Sequence, residues 1–377
     1  MVGENETFAS EFILLGFTTW ADLQVMFFVL FLAVYVVTLL GNLGVIVLIR
    51  MDPHLHTPMY FFLSHLSLLD ICYSSTIIPQ SLRDFLAEKK VISFARCVTQ
   101  LFSFATWATT ECYVLAAMAY DRYVAICRPL LYSVLTSQRI CIGMLAGAYL
   151  AGVISSTLHT VSIFRSLFCH SRAIDHFFCD GPPLLALSCS DTRASEVVVA
   201  VVVGFNTLST VAFILVSYSS ILAAVLRIRS AAGRRKALST CASHLASVTL
   251  YYSSSILMYL RPVSSHSLQQ DKVISLVYSV AVPMLNPFVY SLRNADLRNA
   301  SWKMVGKKYE LDPFLVIPDF SHTTILGITW LKMERNKCCK PSWLSERANL
   351  PVSPYLPKKL WDDEDFQESK TRTEMRE

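Results

Sequence analysis

An Asp-Arg pair ends a long apolar segment of the chain. Asp121 and Arg122, followed by Tyr123, come after the mostly apolar residues that begin at Phe94. A charge within a bilayer costs about 2.5–3.5 kcal/mol on insertion scales, so such charges usually serve a function. At the cytoplasmic end of a helix, the two charges would neutralise each other until a partner protein offers Arg122 a better contact. The pair therefore predicts a switch that couples a membrane protein to a partner.

Two further acids, Asp70 and Glu111, lie within apolar segments. One interpretation is a pair of protonated carboxyls hydrogen-bonded to neighbouring serines, because burial disfavours the charged form. The other is a shared sodium site, since hard cations prefer oxygen ligands. The sodium site requires the two side chains to face each other. Three single histidines in similar segments are interpreted as packing residues rather than proton switches: His65, His159 and His244.

Seven apolar segments are long enough to position these groups within a membrane. The chain has 377 residues and is 53% hydrophobic and 16% charged, whereas soluble domains have roughly 25% charged residues. Crossing the hydrocarbon takes roughly 20 residues, and the backbone there must satisfy its own hydrogen bonds, which favours helices. The sequence predicts an all-α membrane protein, a seven-transmembrane helix bundle, with spans at Val25–Ile49, Thr57–Gln80, Phe94–Cys127, Ile140–Phe164, Val197–Leu226, Ala237–Leu260 and Val273–Leu292.

The distribution of basic residues predicts an N-terminus outside the cell. With that orientation the inner loops and proximal tail carry 14 Lys or Arg residues and the outer loops carry nine, as the positive-inside rule requires. No signal-peptide cleavage pattern precedes the first span, which is expected to be an uncleaved anchor. Asn5 then begins an outward-facing glycosylation sequon. The net charge of +5 does not indicate nucleic-acid binding, because the basic residues lie in short loops.

Three regions follow from this pattern. Residues 1–24 form an extracellular arm, and residues 25–308 form the receptor domain with an amphipathic eighth helix over Leu292–Lys308. Residues 309–377 form an atypical cytoplasmic tail, which is predicted to be disordered. Residues 301–377 hold 25 of the 61 charged residues of the chain. Cys338-Cys339 follows several basic residues, a setting for palmitoylation at the inner leaflet; an unmodified pair is an equal alternative.

Four cysteines fall on the predicted outer side, where disulfides persist. They are Cys97, Cys169, Cys179 and Cys189. Four cysteines allow three sets of disulfide pairings, and counting them does not show which set forms. A zinc site from Cys169, His170, His176 and Cys179 is a weaker alternative, because oxidised cysteines are not thiolate ligands. The long loop over residues 165–196, tied by two bridges, is expected to form a fixed lid over the bundle.

The ordered motifs resemble those of odorant receptors, within the rhodopsin-like G-protein-coupled receptors. The likeness runs from Phe12 to about Arg298 and is closest to the tetrapod-type branch. It is carried by Gly41-Asn42, L-H-T-P-M-Y-F-F-L-S-H-L-S (Leu55–Ser67), M-A-Y-D-R-Y-V-A-I-C-R-P-L-L-Y (Met118–Tyr132), Ser217-Tyr218, K-A-L-S-T-C-A-S-H-L (Lys236–Leu245), P-M-L-N-P-F-V-Y-S-L-R-N (Pro283–Asn294) and the outer loop Ile174–Thr192.

The resemblance implies a receptor without enzymatic activity. It would bind an odorant, activate a stimulatory G protein and raise cyclic AMP in the cilia of olfactory neurons, at the plasma membrane. The implied disulfides are Cys97–Cys179 and Cys169–Cys189, and the only implied ion is sodium at Asp70 and Glu111. The implied G-protein switch comprises Asp121, Arg122, Tyr123, Tyr218, Asn286, Pro287 and Tyr290. The family's F-Y-G-T in the sixth helix is replaced here by Tyr251-Tyr252-Ser253-Ser254, which adds hydroxyl groups near the expected pocket.

Helical spacing predicts a pocket between the outer halves of the helices. The outer half of the third helix has no carboxylate, which disfavours an amine ligand, and the seventh has no central lysine for a retinal Schiff base. A small, neutral, volatile organic ligand remains. The candidate contacts are Phe104, Ala105, Ala108, Thr109, Cys112, Val202, Val203, Asn206, Thr207, Tyr252, Ser255, Ile256 and Tyr259.

A signalling receptor has two alternatives. A transporter or channel is disfavoured because no inverted repeat is found and the acids do not line one polar face. A receptor silenced by its tail is the second alternative, and truncation after Lys308 would then restore surface expression.

Overall fold

Seven long helical segments make up most of the residues that the computed structural model describes, which are 11–18, 20–168, 172–259 and 268–310. The predicted helical bundle is confirmed. The helices are α1 (Ala21–Met51), α2 (Pro58–Leu86), α3 (Phe94–Cys127), α4 (Gln138–Phe164), α5 (Arg193–Leu226) and α6 (Ala231–Tyr259). Helix α7 consists of Leu268–Leu276, a π-helical turn Val277–Ala281 and Val282–Arg293, and α8 covers Ala295–Glu310.

Helix α8 begins three residues later than predicted, because Asn294 separates it from α7. Asn294 has an extended backbone (φ −94°, ψ 111°). Its Oδ1 accepts hydrogen bonds from the backbone N–H of Asp296 at 2.9 Å and of Leu297 at 3.3 Å. A side-chain oxygen that satisfies the first free amides of a helix is an N-cap. Asn294 therefore begins α8 in a new direction.

Five of the described helices are long and apolar enough to cross a membrane: Asp22–Met51, Pro58–Leu86, Gln138–Phe164, Arg193–Leu226 and Gln270–Ser291. Helices α3 and α6 do not meet that criterion. The first contains Arg96, Glu111, Asp121 and Arg122, and the second begins with basic residues and is rich in serine and threonine. The count of seven spans stays a prediction.

A small three-stranded sheet, which the sequence did not predict, covers one end of the bundle. Strand β1 (Glu11–Leu14) is central, with β2 (Val91–Ser93) antiparallel to it and β3 (Ala173–Ile174) parallel to it. Phe12 and Leu14 point inward and are fully buried. The sheet joins the N-terminal arm to two loops at this end, which we call the disulfide end. The end with Asp121 and Arg122 is called the Asp-Arg end.

Helix α3 lies at the centre of the bundle, in contact with α2, α4, α5 and α6. Its contact with α4 is close because Gly152 has no side chain. A Cβ atom there would lie 2.8 Å from the carbonyl oxygen of Thr106 and nearer still to the hydroxyl of Thr110. Beside this contact, Thr106 Oγ1 donates a hydrogen bond to Ser156 Oγ at 2.7 Å. Gly152 thus sets the spacing of two helices that line the cavity described next.

Candidate ligand cavity and switch site

A cavity of about 60 Å³ lies among α2 to α7. One water occupies roughly 10–15 Å³ on the same measure, so the cavity has room for a small organic molecule. The structure brings ten of the predicted ligand contacts to it: Phe104, Ala105, Ala108, Thr109, Cys112, Val202, Val203, Asn206, Thr207 and Ser255. That these residues bind a ligand stays a prediction.

Three predicted contacts on α6 are not placed at the cavity. Ile256 is 38% exposed on the outer surface of the bundle. Tyr252 is buried but lies deeper, where its hydroxyl bonds to Thr210 Oγ1 at 2.8 Å. The error comes from the rotation of α6, which turns Tyr251 and Ser255 toward the cavity. The side chain of Tyr259 lies outside the described part of the chain.

Five lining residues were missed: Tyr73, Ser155, His159, Tyr251 and Tyr278. Ser155 and His159 are four residues apart in α4, which places them on one helix face. That spacing was the available signal. His159 was predicted to be a satisfied packing residue rather than a proton switch, and the structure agrees with the packing but not with the satisfied hydrogen bonds. It is 5% exposed, lines the cavity, and neither ring nitrogen makes a hydrogen bond to the described residues.

The loop that contains Cys179 packs against a residue that lines the cavity, at the disulfide end. Phe178 packs on Phe104, with ring centroids 5.2 Å apart. The Cys97–Cys179 disulfide, with Cα atoms 5.6 Å apart, ties this loop to α3. That pairing confirms the one implied by the resemblance. It also removes Cys179 as a thiolate, so the alternative zinc site lacks one of its four ligands.

Three polar contacts tie the same loop to α7. Lys272 Nζ forms an ion pair with Asp175 Oδ1 at 2.6 Å. His176 Nε2 is hydrogen-bonded to Ser275 Oγ at 3.2 Å. The Tyr278 hydroxyl donates to Asp180 Oδ2 at 3.0 Å. The contacts occur at successive turns of α7, so the predicted lid is held along one face of that helix.

His176 is held in its neutral form. It is 1% exposed, and its ring stacks on Phe177 with centroids 4.7 Å apart. Burial, and secondarily the Lys272 ammonium, lower the pKa of His176 from 6.5 to about 3. The unfolded chain therefore takes up a proton near pH 6.5 that the folded chain does not. Stability from this residue is fully present above pH 6.5 and is lost as the pH falls toward 3.

Tyr251 of α6 forms the cavity floor, and Tyr252 lies beneath it. The Tyr251 hydroxyl donates to the backbone oxygen of Ala108 at 2.6 Å and contacts Cys112 Sγ at 3.3 Å. The Tyr252 hydroxyl is within 3.2 Å of the backbone oxygen of Cys112. Tyr251, which departs from the family motif, and Tyr252, which matches it, thus connect α6 to the middle of α3.

A buried polar cluster lies in the bundle around Asp70. Asn286 Nδ2 is 3.1 Å from both carboxylate oxygens of Asp70. Glu111 Oε1 and Asn286 Oδ1 are buried and have no hydrogen-bond partner among the described residues. Oxygens in this condition suit a hard cation, so the residues present fit the sodium ion implied by the resemblance. Sodium binding stays a prediction.

Asp121 and Arg122 do not pair with each other, contrary to the sequence-based expectation. Asp121 Oδ1 accepts a hydrogen bond from the Tyr132 hydroxyl at 2.8 Å. The Arg122 guanidinium instead contacts Met59 Sδ at the start of α2. Neighbouring residues on a helix point in different directions, and the turn after α3 returns Tyr132 to Asp121. The arginine is therefore not engaged by the acid beside it.

Three other predicted switch residues, Tyr123, Tyr218 and Tyr290, lie toward the Asp-Arg end. Tyr123 packs against the contact of α5 with α6. The Tyr218 hydroxyl donates to His244 Nδ1 at 2.7 Å, and His244 Nε2 lies 3.0 Å from the backbone oxygen of Leu115. His244 is thus a packing residue with both nitrogens bonded. Tyr290 is buried in the core beside Tyr218.

The Gly41-Asn42 motif contacts helix α7 at its proline residues. A Cβ atom on Gly41 would lie 3.0 Å from Pro287 Cγ. Asn42 Nδ2 donates to the backbone oxygens of Thr38 and Pro283, each at 3.0 Å. Proline removes a helical hydrogen bond, and the Asn42 amide bonds a carbonyl close to that break.

Two predicted modification sites and the second disulfide involve residues outside the described part. Cys189 is disulfide-bonded, but its predicted partner Cys169 lies outside the described residues. Asn5 and Cys338-Cys339 also lie outside them, as do residues 311–377 of the predicted tail.

The arrangement of helices is that of a rhodopsin-type bundle. The chain matches the crystal structure of squid rhodopsin with a TM-score of 0.57 and 18% identity, over 78% of this chain and 88% of that one. At this identity the likeness shows the fold alone. The fold class is therefore a rhodopsin-type helical bundle.

The sequence comparisons show the family. The olfactory receptor family model matches residues 31–308. Olfactory receptor 5AR1 of Mus musculus is 54% identical over 305 residues, 81% of this chain and 98% of that protein. Olfactory receptor 5AU1 of Homo sapiens is 51% identical over 308 residues, 82% of this chain and 85% of that protein. The chain belongs to the olfactory receptor family. It is a multi-pass membrane receptor for a small-molecule odorant, coupled to a G protein, and not an enzyme.

Proposed function

We propose that the receptor binds a small, neutral, volatile organic molecule in the cavity at the disulfide end and activates a stimulatory G protein, which raises cyclic AMP. One observation carries the ligand class. The described residues that line the cavity are apolar or carry hydroxyl, amide and imidazole groups, and no Asp, Glu, Lys or Arg is among them. A charged ligand would lose its hydration there without an opposite charge to replace it.

The distribution of charge supports the proposed orientation. The disulfide end faces the extracellular space, where the Cys97–Cys179 bond is stable. The Asp-Arg end faces the cytoplasm with the greater number of basic residues. The apolar outer surfaces of α1 and α5 contact membrane lipid, since Val29, Val201 and Val216 are each at least 60% exposed. We place the receptor in the plasma membrane of olfactory sensory neuron cilia.

The state of Arg122 supports coupling at the Asp-Arg end. Its guanidinium is not paired with Asp121, because that carboxylate accepts a hydrogen bond from Tyr132 instead. A G protein that offers backbone carbonyls would give Arg122 a stronger contact. The helical hydrogen bond that Pro287 removes and the polar cluster around Asn286 would allow α7 two packings of similar energy, as a switch requires. Sodium at Asp70 and Glu111 would stabilise one of them.

The test is odorant-evoked cyclic AMP in cells with verified surface display. A broad panel of neutral odorants is applied to the wild type, to Arg122→Ala and to Arg139→Ala. Arg139 is an exposed arginine at the same end of the bundle and serves as the matched control. A response that is lost in Arg122→Ala and kept in Arg139→Ala supports the proposal.

Two outcomes would contradict it. One is a flat response of a well-displayed wild type to the whole panel. The other is an odorant-evoked current in cells that lack the G protein, which would favour the channel alternative.

A further inference from the structure

Most polar groups that line the cavity are already engaged with the protein. Asn206 Nδ2 donates to Ser155 Oγ at 3.0 Å and to the Val202 oxygen at 2.7 Å, and its Oδ1 accepts from the Tyr113 hydroxyl at 2.7 Å. Ser255 Oγ donates to the backbone oxygen of Tyr251 at 3.0 Å. Asn206 was predicted to contact the ligand, but its amide holds α5 against α3 and α4. It has little capacity left for a ligand.

Four lining side chains make no hydrogen bond within the part of the chain that the structure describes: Tyr73, Thr109, His159 and Thr207. Three of them are almost fully buried, with exposures of 2%, 5% and 4% for Tyr73, His159 and Thr207. Buried polar groups in proteins nearly always have a partner, so each exception requires an explanation. Here the explanation is shared, because all four face one cavity. A bound molecule would supply the missing partners.

His159 is the most informative of the four. The edge of its ring faces Gly181, where a Cβ atom would lie 3.2 Å from His159 Nε2, so the loop covers the ring from the disulfide end. A neutral imidazole has one donor nitrogen and one acceptor nitrogen. With both unpaired, either tautomer can present itself to the cavity. A hydroxyl group satisfies both tautomers, since it donates to a bare nitrogen and accepts from an N–H.

Thr207 complements this preference from the neighbouring helix. Its hydroxyl makes no bond to its own helix, unlike the hydroxyl of Thr210, which donates to the Asn206 oxygen at 2.6 Å. An ether or a carbonyl oxygen only accepts. Such a ligand can pair with His159 only when the nitrogen that faces it carries the proton, whereas an alcohol can pair with either form and can donate to His159 while it accepts from Thr207.

We propose that His159 is the polar anchor of the cavity, supported by Thr207, and that the ligand is a neutral aliphatic or phenolic alcohol. This inference rests on the proposed ligand cavity and names the class of molecule that it selects. The apolar part of the ligand lies against Phe104, Val202 and Val203, and its hydroxyl is directed toward α4.

The experiment measures binding directly, so that it does not depend on G-protein coupling. Purified full-length receptor in detergent is heated with graded concentrations of straight-chain alcohols of four to ten carbons and of 2-phenylethanol. Each alcohol is compared with its methyl ether. A ligand that binds the folded state raises the unfolding temperature in proportion to the logarithm of its concentration over Kd.

For the wild type we expect an alcohol to bind roughly three- to tenfold more tightly than its ether, as one net hydrogen bond provides. In His159→Phe, which keeps a ring of similar size, that ratio should fall to about one while ether binding is unchanged. His159→Gln should restore part of the ratio, and Thr207→Val should lower it. Val202→Ala is the matched control, because loss of an apolar contact should weaken alcohol and ether alike.

Three results would overturn the inference: equal binding of alcohol and ether to the wild type, a preserved ratio in His159→Phe, or no stabilisation by any alcohol of the panel. The readout also separates this inference from the proposed function. Selective binding of alcohols without a cyclic AMP response would retain the anchor and refute the coupling. A cyclic AMP response to ethers equal to that for alcohols would do the reverse.

Discussion

The close approach of α3 and α4 at Gly152 predicts opposite effects for two chemically identical substitutions. Gly152→Ala introduces a Cβ atom 2.8 Å from the Thr106 carbonyl oxygen and even closer to the Thr110 hydroxyl. The backbone oxygen cannot rotate away, so the two helices must separate. Gly147→Ala, five residues earlier in the same helix, introduces a Cβ atom with nothing within 4 Å. Comparing the two variants separates the effect of helix packing on stability from the effect of helix propensity.

The magnitudes follow from two opposing terms. Replacing a helix-interior glycine by alanine stabilises a helix by about 1 kcal/mol, and at Gly147 no steric term opposes this. Overpacking a tight interface destabilises it by about 1–3 kcal/mol, and the contact at Gly152 involves both a backbone atom and a side chain. We expect Gly147→Ala to be up to about 1 kcal/mol more stable than the wild type. Gly152→Ala should be less stable by about 1–2 kcal/mol.

The assay is thermal unfolding of detergent-purified receptor, followed by the fluorescence of a thiol-reactive dye. Adding Thr110→Ala to Gly152→Ala removes the nearer of the two contacts and should recover part of the loss. Because Ser155 and His159 lie one to two turns along α4 from Gly152, the single variant should also weaken ligand binding. If Gly152→Ala unfolds at or above the wild-type temperature, the close contact is not a constraint and the reasoning is refuted.

Three further predictions concern the lid, the polar cluster and α8. In the wild type, the free energy of unfolding should fall by about 2 kcal/mol between pH 6.5 and pH 5, because the unfolded chain protonates His176 and the folded chain does not. His176→Phe should flatten this decline. A stability that changes in parallel in both proteins from pH 7.5 to 5 would contradict the prediction. Asp70→Asn should abolish any sodium dependence of signalling, whereas sodium titrations identical to those of the wild type would remove the sodium site. Asn294→Ala should destabilise the start of α8 by about 1 kcal/mol, which amide hydrogen exchange at Leu297 would detect, and unchanged exchange there would show that the cap is dispensable.

Sequence reasoning succeeded where a property repeats along one helix. The apolar segments predicted the helices. The helical spacing of inward positions on α3 predicted the cavity residues between Phe104 and Cys112. The Cys97–Cys179 bond came from the resemblance rather than from chemistry, because four cysteines do not specify their pairing. The family assignment depended on the same ordered motifs.

Prediction from the sequence failed where a residue's partner lies far away in the chain, and where the rotation of a helix by a fraction of a turn decides which side chain faces inward. Strand β1 has four residues and exists only because two distant loops supply its partners. Asp121 was assigned to its neighbour Arg122, but a residue returned by the next turn competes for it. Ile256 and Tyr251 differ by five positions, and only the packing of α6 decides which of them faces the cavity.

The attachment of α6 to α3 explains how the cavity floor is connected to the Asp-Arg end. Three α6 side chains, His244, Tyr251 and Tyr252, contact backbone oxygens of α3 at 2.6–3.2 Å, and these oxygens belong to Ala108, Cys112 and Leu115. A helical carbonyl accepts a second hydrogen bond without losing its first, so these contacts do not disturb α3. They do depend on the exact distance between the two helices. We expect a ligand that displaces Tyr251 from Ala108 to weaken the bond of His244 to Leu115, and with it the bond of Tyr218 to His244. The family usually has phenylalanine at position 251. The Tyr251 hydroxyl therefore adds one hydrogen bond, to the Ala108 oxygen, that stabilises the structure described here and that a ligand would have to break.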